Sequence, residues 1–129
     1  HDLQDLNDLV PPEINLKETI SKIKGRKIIY TNAPKNYTHR ILKISKVYEM
    51  FDEIFTIEDS NFIPKPNQGS MAFFLKKYNI KEGFFIDDIK ENLKTAKNFG
   101  LSTIWITDEK IYPSFIDQKI EKVSDLLTL

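Results

Sequence analysis

The sequence predicts an α/β fold in which helices cover both faces of a parallel sheet. Short, almost continuous apolar runs alternate along the 129 residues with segments whose apolar residues recur at helical spacing. Continuous apolar runs are typical of parallel strands, which are buried on both faces. Gly25 and Gly100 follow two of the helical segments, where glycine commonly ends a helix. We expect one domain over residues 1–129, because no internal repeat or low-complexity linker divides the sequence.

Each element is predicted from its own pattern. Strands are expected over residues 27–31, 54–57, 83–87 and 102–106, and helices over residues 14–23, 36–47, 69–78 and 89–99. The side chains expected on the inner faces of the first three helices are Ile14, Leu16, Ile20 and Ile23; Ile41, Leu42 and Ile44; and Met71, Phe74 and Leu75. The last segment is ambiguous: residues 118–121 have the character of a short edge strand, and residues 123–127 that of a closing helical turn.

Composition excludes several functional classes. Nineteen basic and nineteen acidic residues leave no net charge, which argues against electrostatic binding of nucleic acid or a membrane surface. The absence of cysteine rules out disulfides and thiolate catalysis, and His1 and His39 alone are a thin supply of zinc ligands. No apolar run approaches the roughly 18 residues of a membrane span, and residues 1–5 are unlike a signal peptide. We expect a cytoplasmic protein with a small-molecule partner.

Polar residues stand at the carboxyl ends of two predicted strands. Thr31 and Asn32 follow the first strand, and Asp87 and Asp88 end the third. In open parallel sheets the ligand crevice lies outside the carboxyl ends of the strands. The sequence therefore predicts a hydroxyl, an amide and two carboxylates on one rim.

The aspartate pair supports two interpretations. Asp88 precedes a predicted helix, where it could cap the helix by accepting a backbone N–H bond. Two adjacent carboxylates at a strand end also suit magnesium, which takes one or two protein carboxylates and keeps several waters. The pair alone does not decide between a cap and a metal site.

Thr31, Asn32 and Lys65 are equally open to two interpretations. Thr31 and Asn32 could be ordinary turn residues, or a hydroxyl and successive backbone N–H groups that cradle a phosphate before a helix. Lys65 lies between Pro64 and Pro66 on a segment expected to be stiff and extended. It could be a solvated surface lysine, as most lysines are, or a positioned ammonium group.

The order of these residues carries more information than each of them alone. Thr31-Asn32-Ala33, Pro64-Lys65-Pro66 and Asp87-Asp88 occur in this order, the first and third after apolar runs. They resemble motifs two, three and four of the haloacid dehalogenase (HAD) superfamily, which mostly comprises magnesium-dependent phosphohydrolases with an aspartate nucleophile. The resemblance covers about residues 9–106, and Leu9-Val10-Pro11-Pro12 is among the segments most similar to the pyrimidine 5'-nucleotidase-like branch.

The resemblance implies a Rossmann-like, three-layer core. It also implies an upstream strand ending in Asp-x-Asp, which supplies the nucleophile and general acid, and a helical cap. Neither is found in the 129 residues, so we expect them to be the C-terminal part of a longer hydrolase, inactive without its upstream segment.

The same resemblance implies a role for each rim residue. Thr31 would bind the transferring phosphoryl group, helped by the backbone N–H groups of Asn32 and Ala33, and Lys65 would neutralise charge on the nucleophile and the phosphoryl oxygens. Asp88 would be the direct magnesium ligand, with Asp87 beside it. The implied reaction is hydrolysis of a small phosphate ester, best matched by a nucleoside monophosphate, through an aspartyl-phosphate intermediate.

Two departures from the family pattern bear on substrate choice. Ile89 stands where a serine often follows the paired aspartates, and Tyr37 stands where branch members place a histidine, with His39 two residues on. The alternative function is a non-catalytic domain of this fold that binds a ligand or partner. A dehalogenase is disfavoured, because the paired aspartates suit a metal that dehalogenases of the superfamily do not use.

Overall fold

The computed structural model describes residues 16–129, so the predictions for residues 9–12 and for Ile14 lie outside it. The helices are α1 (Leu16–Lys22), α2 (Lys35–Ile44), α3 (Gln68–Lys77) and α4 (Lys90–Asn98). The strands are β1 (Ile28–Tyr30), β2 (Glu53–Phe55), β3 (Phe84–Asp87), β4 (Ser102–Ile106) and β5 (Gln118–Ile120). Short 3-10 helices cover Tyr48–Met50 and Val123–Thr128. The predicted alternation of helices and strands is confirmed.

All strand pairs are parallel, but they form two sheets instead of the single predicted sheet. β1 pairs with β2, and β3, β4 and β5 pair in that order. Tyr30 lies opposite Phe55 in the first sheet, and Asp87 lies opposite Trp105 in the second. Within residues 16–129 no strand pairing joins β1 to β3. The α/β class is therefore correct, and the sheet is divided between these two strands.

The side chains of β1 alternate between two apolar clusters, so both faces of the sheet formed by β1 and β2 are covered. Ile28 and Tyr30 pack in a larger cluster, and Ile29 packs in a smaller one. The buried members of the larger cluster are Phe55, Met71, Phe74, Leu75, Phe85, Leu93, Ala96, Leu101, Trp105 and Ile116. Those of the smaller cluster are Leu16, Ile20, Leu42 and Val47. Since the larger cluster takes side chains from both sheets, apolar packing holds the two sheets together.

The end of α2 differs from the prediction. The helix was expected to reach residue 47 with Ile44 inside, but it ends at Ile44, which is 69% exposed. Lys46 adopts a left-handed conformation with φ 62°, its N–H donates to the Lys43 carbonyl, and the Val47 N–H donates to the Leu42 carbonyl. These two bonds are the Schellman closure of a helix. The left-handed position holds a lysine instead of the usual glycine, so the sequence pattern did not indicate this helix end.

The edge strand β5 is tied to the neighbouring elements through Asp117. Its carboxylate accepts bonds from the Thr103 backbone N–H at 2.8 Å and from the Lys97 ammonium at 2.7 Å. The Lys97 bond, followed by the Thr103 bond, lowers the pKa of Asp117. The predicted strand at residues 118–121 is thus present as Gln118–Ile120.

No helix within residues 16–129 combines the length and the apolar character that a membrane crossing requires.

Two adjacent phenylalanines on α3 test the role of the larger cluster. Phe74 is 4% exposed and packs on Tyr30 and Phe55 at ring distances of 4.3 and 5.1 Å, whereas Phe73 is 52% exposed. We expect Phe74→Ala to lower the free energy of unfolding by about 3–5 kcal/mol, since it empties a packed site. Phe73→Ala, the matched control, should cost below about 1 kcal/mol. Urea titrations that give equal losses would contradict the assigned core.

Candidate active site

The ammonium group of Lys65 lies between the carboxyl ends of β1 and β3. Its Nζ donates to the Tyr30 carbonyl at 2.9 Å and to Asp87 Oδ2 at 3.0 Å. The Lys65 and Asp87 side chains are 6% and 8% exposed. The predicted meeting of Lys65 with the aspartate rim is therefore present in the structure. The lysine is a buried, paired cation and not a solvated surface residue.

Aromatic rings surround this cation. Lys65 Nζ lies 4.9 Å from the centre of the Tyr30 ring and 5.7 Å from that of Phe85. Burial raises the pKa of the Tyr30 hydroxyl to about 12. Water is thus largely kept from the Lys65 ammonium, and charges interact more strongly where water is excluded.

The loop that carries Lys65 is held by side chains from two distant segments. Asn32 binds the Lys65 backbone twice: its Oδ1 accepts from the Lys65 N–H at 2.9 Å, and its Nδ2 donates to the Lys65 carbonyl at 3.3 Å. Thr95 on α4 donates through Oγ1 to the Pro66 carbonyl at 2.8 Å. The Lys65–Pro66 peptide bond is cis. These bonds fix the backbone from which the Lys65 side chain extends.

Both oxygens of the Asp87 carboxylate are engaged. Oδ2 accepts from Lys65 Nζ and from Asn92 Nδ2 at 3.2 Å, and Oδ1 accepts from the Ile89 N–H at 2.9 Å. Asn92 is 1% exposed. Asp87 therefore serves as the buried counter-ion of Lys65, and a direct metal bond would have to compete with these donors.

Asp88 is half-buried. Its backbone carbonyl accepts a bond from Trp105 Nε1 at 2.9 Å, so the buried tryptophan also fixes the end of β3. The N-cap position of α4 is occupied by Ile89 and not by Asp88. The interpretation of Asp88 as the cap residue is therefore wrong.

The segment of Thr31, Asn32 and Ala33 forms a tight turn after β1. The Ala33 N–H donates to Thr31 Oγ1 at 3.0 Å, so this predicted phosphate donor is engaged within the turn. The bond uses a lone pair of Thr31 and leaves its hydroxyl proton able to point elsewhere. Thr31 and Ala33 are both buried, and Asn32 is half-buried.

The first backbone amide of α2 already binds a carboxylate. The Lys35 N–H donates to Glu58 Oε1 at 2.9 Å, and this bond is the main cause that lowers the pKa of Glu58. An anion is favoured there because helix N-termini carry partial positive charge. A phosphate bound at this rim would therefore rely on the turn before α2 and not on the Lys35 amide.

The donor set fits magnesium only in part. No group of three or more His, Cys, Asp or Glu side chains that could hold a metal occurs within residues 16–129. Magnesium commonly takes one or two protein carboxylates together with waters and phosphate oxygens. Asp88 can supply one such ligand, whereas Asp87 is occupied by Lys65, Asn92 and Ile89. The side chains of residues 16–129 do not by themselves form a metal site.

His39 lies outside this arrangement. Its Nδ1 is 3.3 Å from the hydroxyl of Tyr48, and the two rings are 5.1 Å apart. Tyr37, at the other departure from the family pattern, is buried beneath the Arg40 guanidinium, whose Cζ is 5.7 Å from the ring centre. The contacts of His39 and Tyr37 described here are with α2 itself and with residues next to it.

Sequence reasoning missed two polar residues that support the rim, Asn92 and Thr95. They are buried on α4 beside Leu93 and Ala96, within an otherwise charged helix. Short polar residues at inward positions of an amphipathic helix are unusual, because a buried polar group needs a partner. That pattern was visible in the sequence and would have predicted polar contacts between α4 and the rim.

Comparisons with known proteins identify the family. A family model described as haloacid dehalogenase-like hydrolase matches residues 2–106. The chain is 25% identical over 118 residues to phosphate metabolism protein 8 of Saccharomyces cerevisiae, covering 77% of this chain and 36% of that protein. It is 28% identical over an alignment of 141 positions to the pyrophosphatase PpaX of Bacillus thuringiensis, covering 100% of this chain and 63% of that enzyme. The chain therefore spans less than two thirds of either relative.

Solved structures share the fold at lower sequence identity. The HAD-hydrolase YfnB of Bacillus subtilis, solved with bound magnesium, superposes with a TM-score of 0.78 at 23% identity, covering 88% of this chain and 54% of that one. A HAD phosphatase of Thermococcus onnurineus superposes with a TM-score of 0.72 at 23% identity, covering 92% and 56%.

Removing the charge of Lys65 from its ion pair with Asp87 should lower the stability of the fold substantially. In Lys65→Met the buried Asp87 carboxylate loses its counter-ion, and we expect the free energy of unfolding to fall by about 3 kcal/mol. The control is Lys97→Met, whose pair with Asp117 is 37% and 40% exposed and should cost below about 1 kcal/mol. Urea denaturation of both variants is the measurement. Equal losses would show that Lys65 and Asp87 are not coupled in a water-poor site.

Proposed function

Because the chain belongs to the haloacid dehalogenase-like hydrolase family, we propose that it supplies the phosphate-binding and metal-binding part of a magnesium-dependent phosphomonoester hydrolase. The observation that carries the proposal is the buried Lys65 ammonium, held between the Tyr30 carbonyl and Asp87. It lies at the strand ends that also present Thr31 and Asp88. A desolvated, fixed cation is suited to charge that develops on a transferring phosphoryl group.

The residues of the turn after β1 would bind the phosphoryl group. The Thr31 hydroxyl would donate a hydrogen bond to a phosphoryl oxygen, while its Oγ1 keeps the hydrogen bond that it accepts from the Ala33 N–H. The Asn32 backbone N–H would be a second donor. The Asn32 side chain would hold the loop that carries Lys65 at the correct distance from the phosphoryl group. The Ala33 N–H would reach a phosphate only by sharing or exchanging its present bond.

Lys65, Asp87 and Asp88 would each have a separate electrostatic role. Lys65 would neutralise charge on the attacking and phosphoryl oxygens, and Asp87 would keep the lysine aimed at them. Asp88 would hold magnesium, which when bound supplies positive charge to the phosphoryl oxygens. Asn92 would orient Asp87 in the way that outer hydrogen bonds commonly orient charged site residues.

The nucleophile would come from an upstream aspartate, and a second upstream aspartate would be the general acid and base. Attack in line with the leaving oxygen would form an aspartyl phosphate, and water would then hydrolyse it. Asp87 is poorly suited to the nucleophile role, because Lys65, Asn92 and the Ile89 N–H occupy its two oxygens. The 129-residue chain alone would therefore be inactive.

The proposed substrate is a nucleoside monophosphate or a similar small phosphate ester. Pyrophosphate is a second candidate, favoured by the similarity to the Bacillus pyrophosphatase along the whole chain. Both substrates present the same phosphoryl group to Lys65 and Thr31. They differ in the leaving group, which these rim residues do not select.

Complementation tests the need for the upstream aspartate. We expect the purified 129-residue chain to hydrolyse no phosphate ester or pyrophosphate above background, and an Asp-x-Asp segment supplied in cis or in trans to restore turnover. The same segment with both aspartates changed to asparagine is the control and should not restore it. Phosphate release is the measurement, and activity of the chain alone that survives repurification would reveal a different nucleophile.

Asp88→Asn in the complemented protein tests the metal assignment. We expect turnover to fall at least about 100-fold, because the hard cation loses a charged ligand. Asp108→Asn, at an exposed position after β4, is the control and should leave turnover unchanged. Magnesium titrations of activity should separate the two variants. If turnover and magnesium dependence were unchanged in Asp88→Asn, the assignment of Asp88 as a magnesium ligand would be wrong.

A further inference from the structure

Helix α2 has no side-chain cap of its own. Its N-cap residue is Pro34, which makes no side-chain capping bond, and the first turn of the helix contains no acidic residue. The first backbone N–H groups of a helix have no intrahelical partner and carry partial positive charge. The start of α2 therefore depends on an acceptor from another part of the chain.

Glu58 supplies this acceptor from the β2–α3 loop, residues 56–67. Its Oε1 accepts a hydrogen bond from the Lys35 N–H at 2.9 Å. The preceding residue makes a second link, because the Ile57 N–H donates to the Ala33 carbonyl at 3.2 Å. Bonds between a backbone N–H and a carboxylate are stronger than those between neutral groups. Two consecutive residues of the loop thus hold the backbone that leads into α2.

Other bonds fix the part of the loop from which Glu58 extends. Asp59 Oδ2 accepts from the Thr56 N–H at 2.8 Å and from the Thr56 hydroxyl at 3.1 Å. The Asn61 N–H donates to the Glu58 carbonyl at 3.0 Å. The Glu58 backbone is therefore held by the loop itself, independently of the contact between its side chain and α2.

The Glu58 side chain acts through the backbone that it binds. The Lys35 bond, followed by a bond from the N–H of Glu58 itself, lowers the pKa of this carboxyl. Hydrogen bonds that favour the ionised form have this effect. The side chain is exposed, so it adds little to the apolar core. Its structural effect is the restraint that it places on the start of α2.

The restrained segment is the turn after β1 that would bind phosphate. Within it the Ala33 N–H donates to Thr31 Oγ1, and the Asn32 side chain binds the Lys65 backbone twice. Lys65 belongs to the same β2–α3 loop as Glu58. One loop therefore both delivers the ammonium group and holds the turn whose donors would meet the same phosphoryl group.

We propose that Glu58 is a positioning residue for phosphate, which holds the turn after β1 so that the Thr31 hydroxyl and the Asn32 N–H face the same phosphoryl group as Lys65. The role towards phosphate rests on the proposed function. Glu58 does not bind the phosphate, because a carboxylate repels an anion. It improves anion binding although its own charge opposes it, and this difference in sign makes the proposal testable.

Titration of the 129-residue chain with inorganic phosphate, followed through the NMR shift of the Asn32 amide, is the first measurement. We expect Glu58→Ala to weaken phosphate binding at least about 10-fold, in the range usual for loss of a group that orients a binding residue. Glu58→Gln keeps an acceptor oxygen and should bind within about 3-fold of the wild type. An effect of charge alone would tighten binding in both variants, which would overturn the proposal.

Glu109→Ala is the matched control. Glu109 is also exposed and follows the carboxyl end of β4, so its removal takes one negative charge from the same rim. This variant should not weaken phosphate binding. All three substitutions replace exposed side chains, so the variants should fold, and binding is read from the folded protein. Equal weakening by Glu109→Ala and Glu58→Ala, or a Glu58→Gln variant as weak as Glu58→Ala, would contradict a hydrogen-bonded positioning role.

Amide hydrogen exchange without phosphate separates this proposal from the proposed function. In Glu58→Ala we expect the Ala33 and Ile57 amides to exchange at least about 5-fold faster than in the wild type, because the turn is released. Unchanged exchange of both amides overturns the proposal, whatever happens to phosphate binding. Faster exchange in a chain whose wild type binds no phosphate contradicts the proposed function, while Glu58 still holds the turn. Equal phosphate binding by the wild type and Glu58→Ala does the reverse.

Discussion

The ion pair between Lys65 and Asp87 is the interaction on which the rim depends. It joins the carboxyl ends of two sheets that share no strand pairing within residues 16–129. Two buried charges are tolerated only where hydrogen bonds satisfy them, and Asn92 and the Ile89 N–H complete the shell of Asp87. Asn32 fixes the loop that delivers the lysine. The rim is therefore one connected polar network inside an apolar core.

Much of this arrangement could be predicted from local patterns. Apolar runs located the strands, and strand direction then placed Thr31 and Asp87 at one edge. The position of Lys65 depended on the resemblance to a family, because neither composition nor periodicity predicts where a loop returns over the sheet. The clamp between Asn32 and Lys65 joins residues 33 positions apart in sequence, which is beyond the reach of local rules.

The differences between prediction and structure have physical causes. Ile44 looked like a core residue because its spacing fits the inner face of α2, but the left-handed turn at Lys46 ends the helix before that face is buried. Phe84 and Ile86 looked like residues of a strand buried on both faces, but they are 70% and 39% exposed, whereas Phe85 and Asp87, which alternate with them, are buried. The apolar run thus located the strand but did not show that one of its faces is exposed.

The apolar edge of β3 has a consequence for how the chain behaves in solution. An open strand edge with large apolar side chains is a template for another chain, and natural proteins usually protect such edges with charges, proline or a bulge. Within β3 the charge nearest to Phe84 and Ile86 is Asp87, whose carboxylate turns to Lys65. Within residues 16–129 this edge of β3 therefore has the features of an aggregation-prone segment.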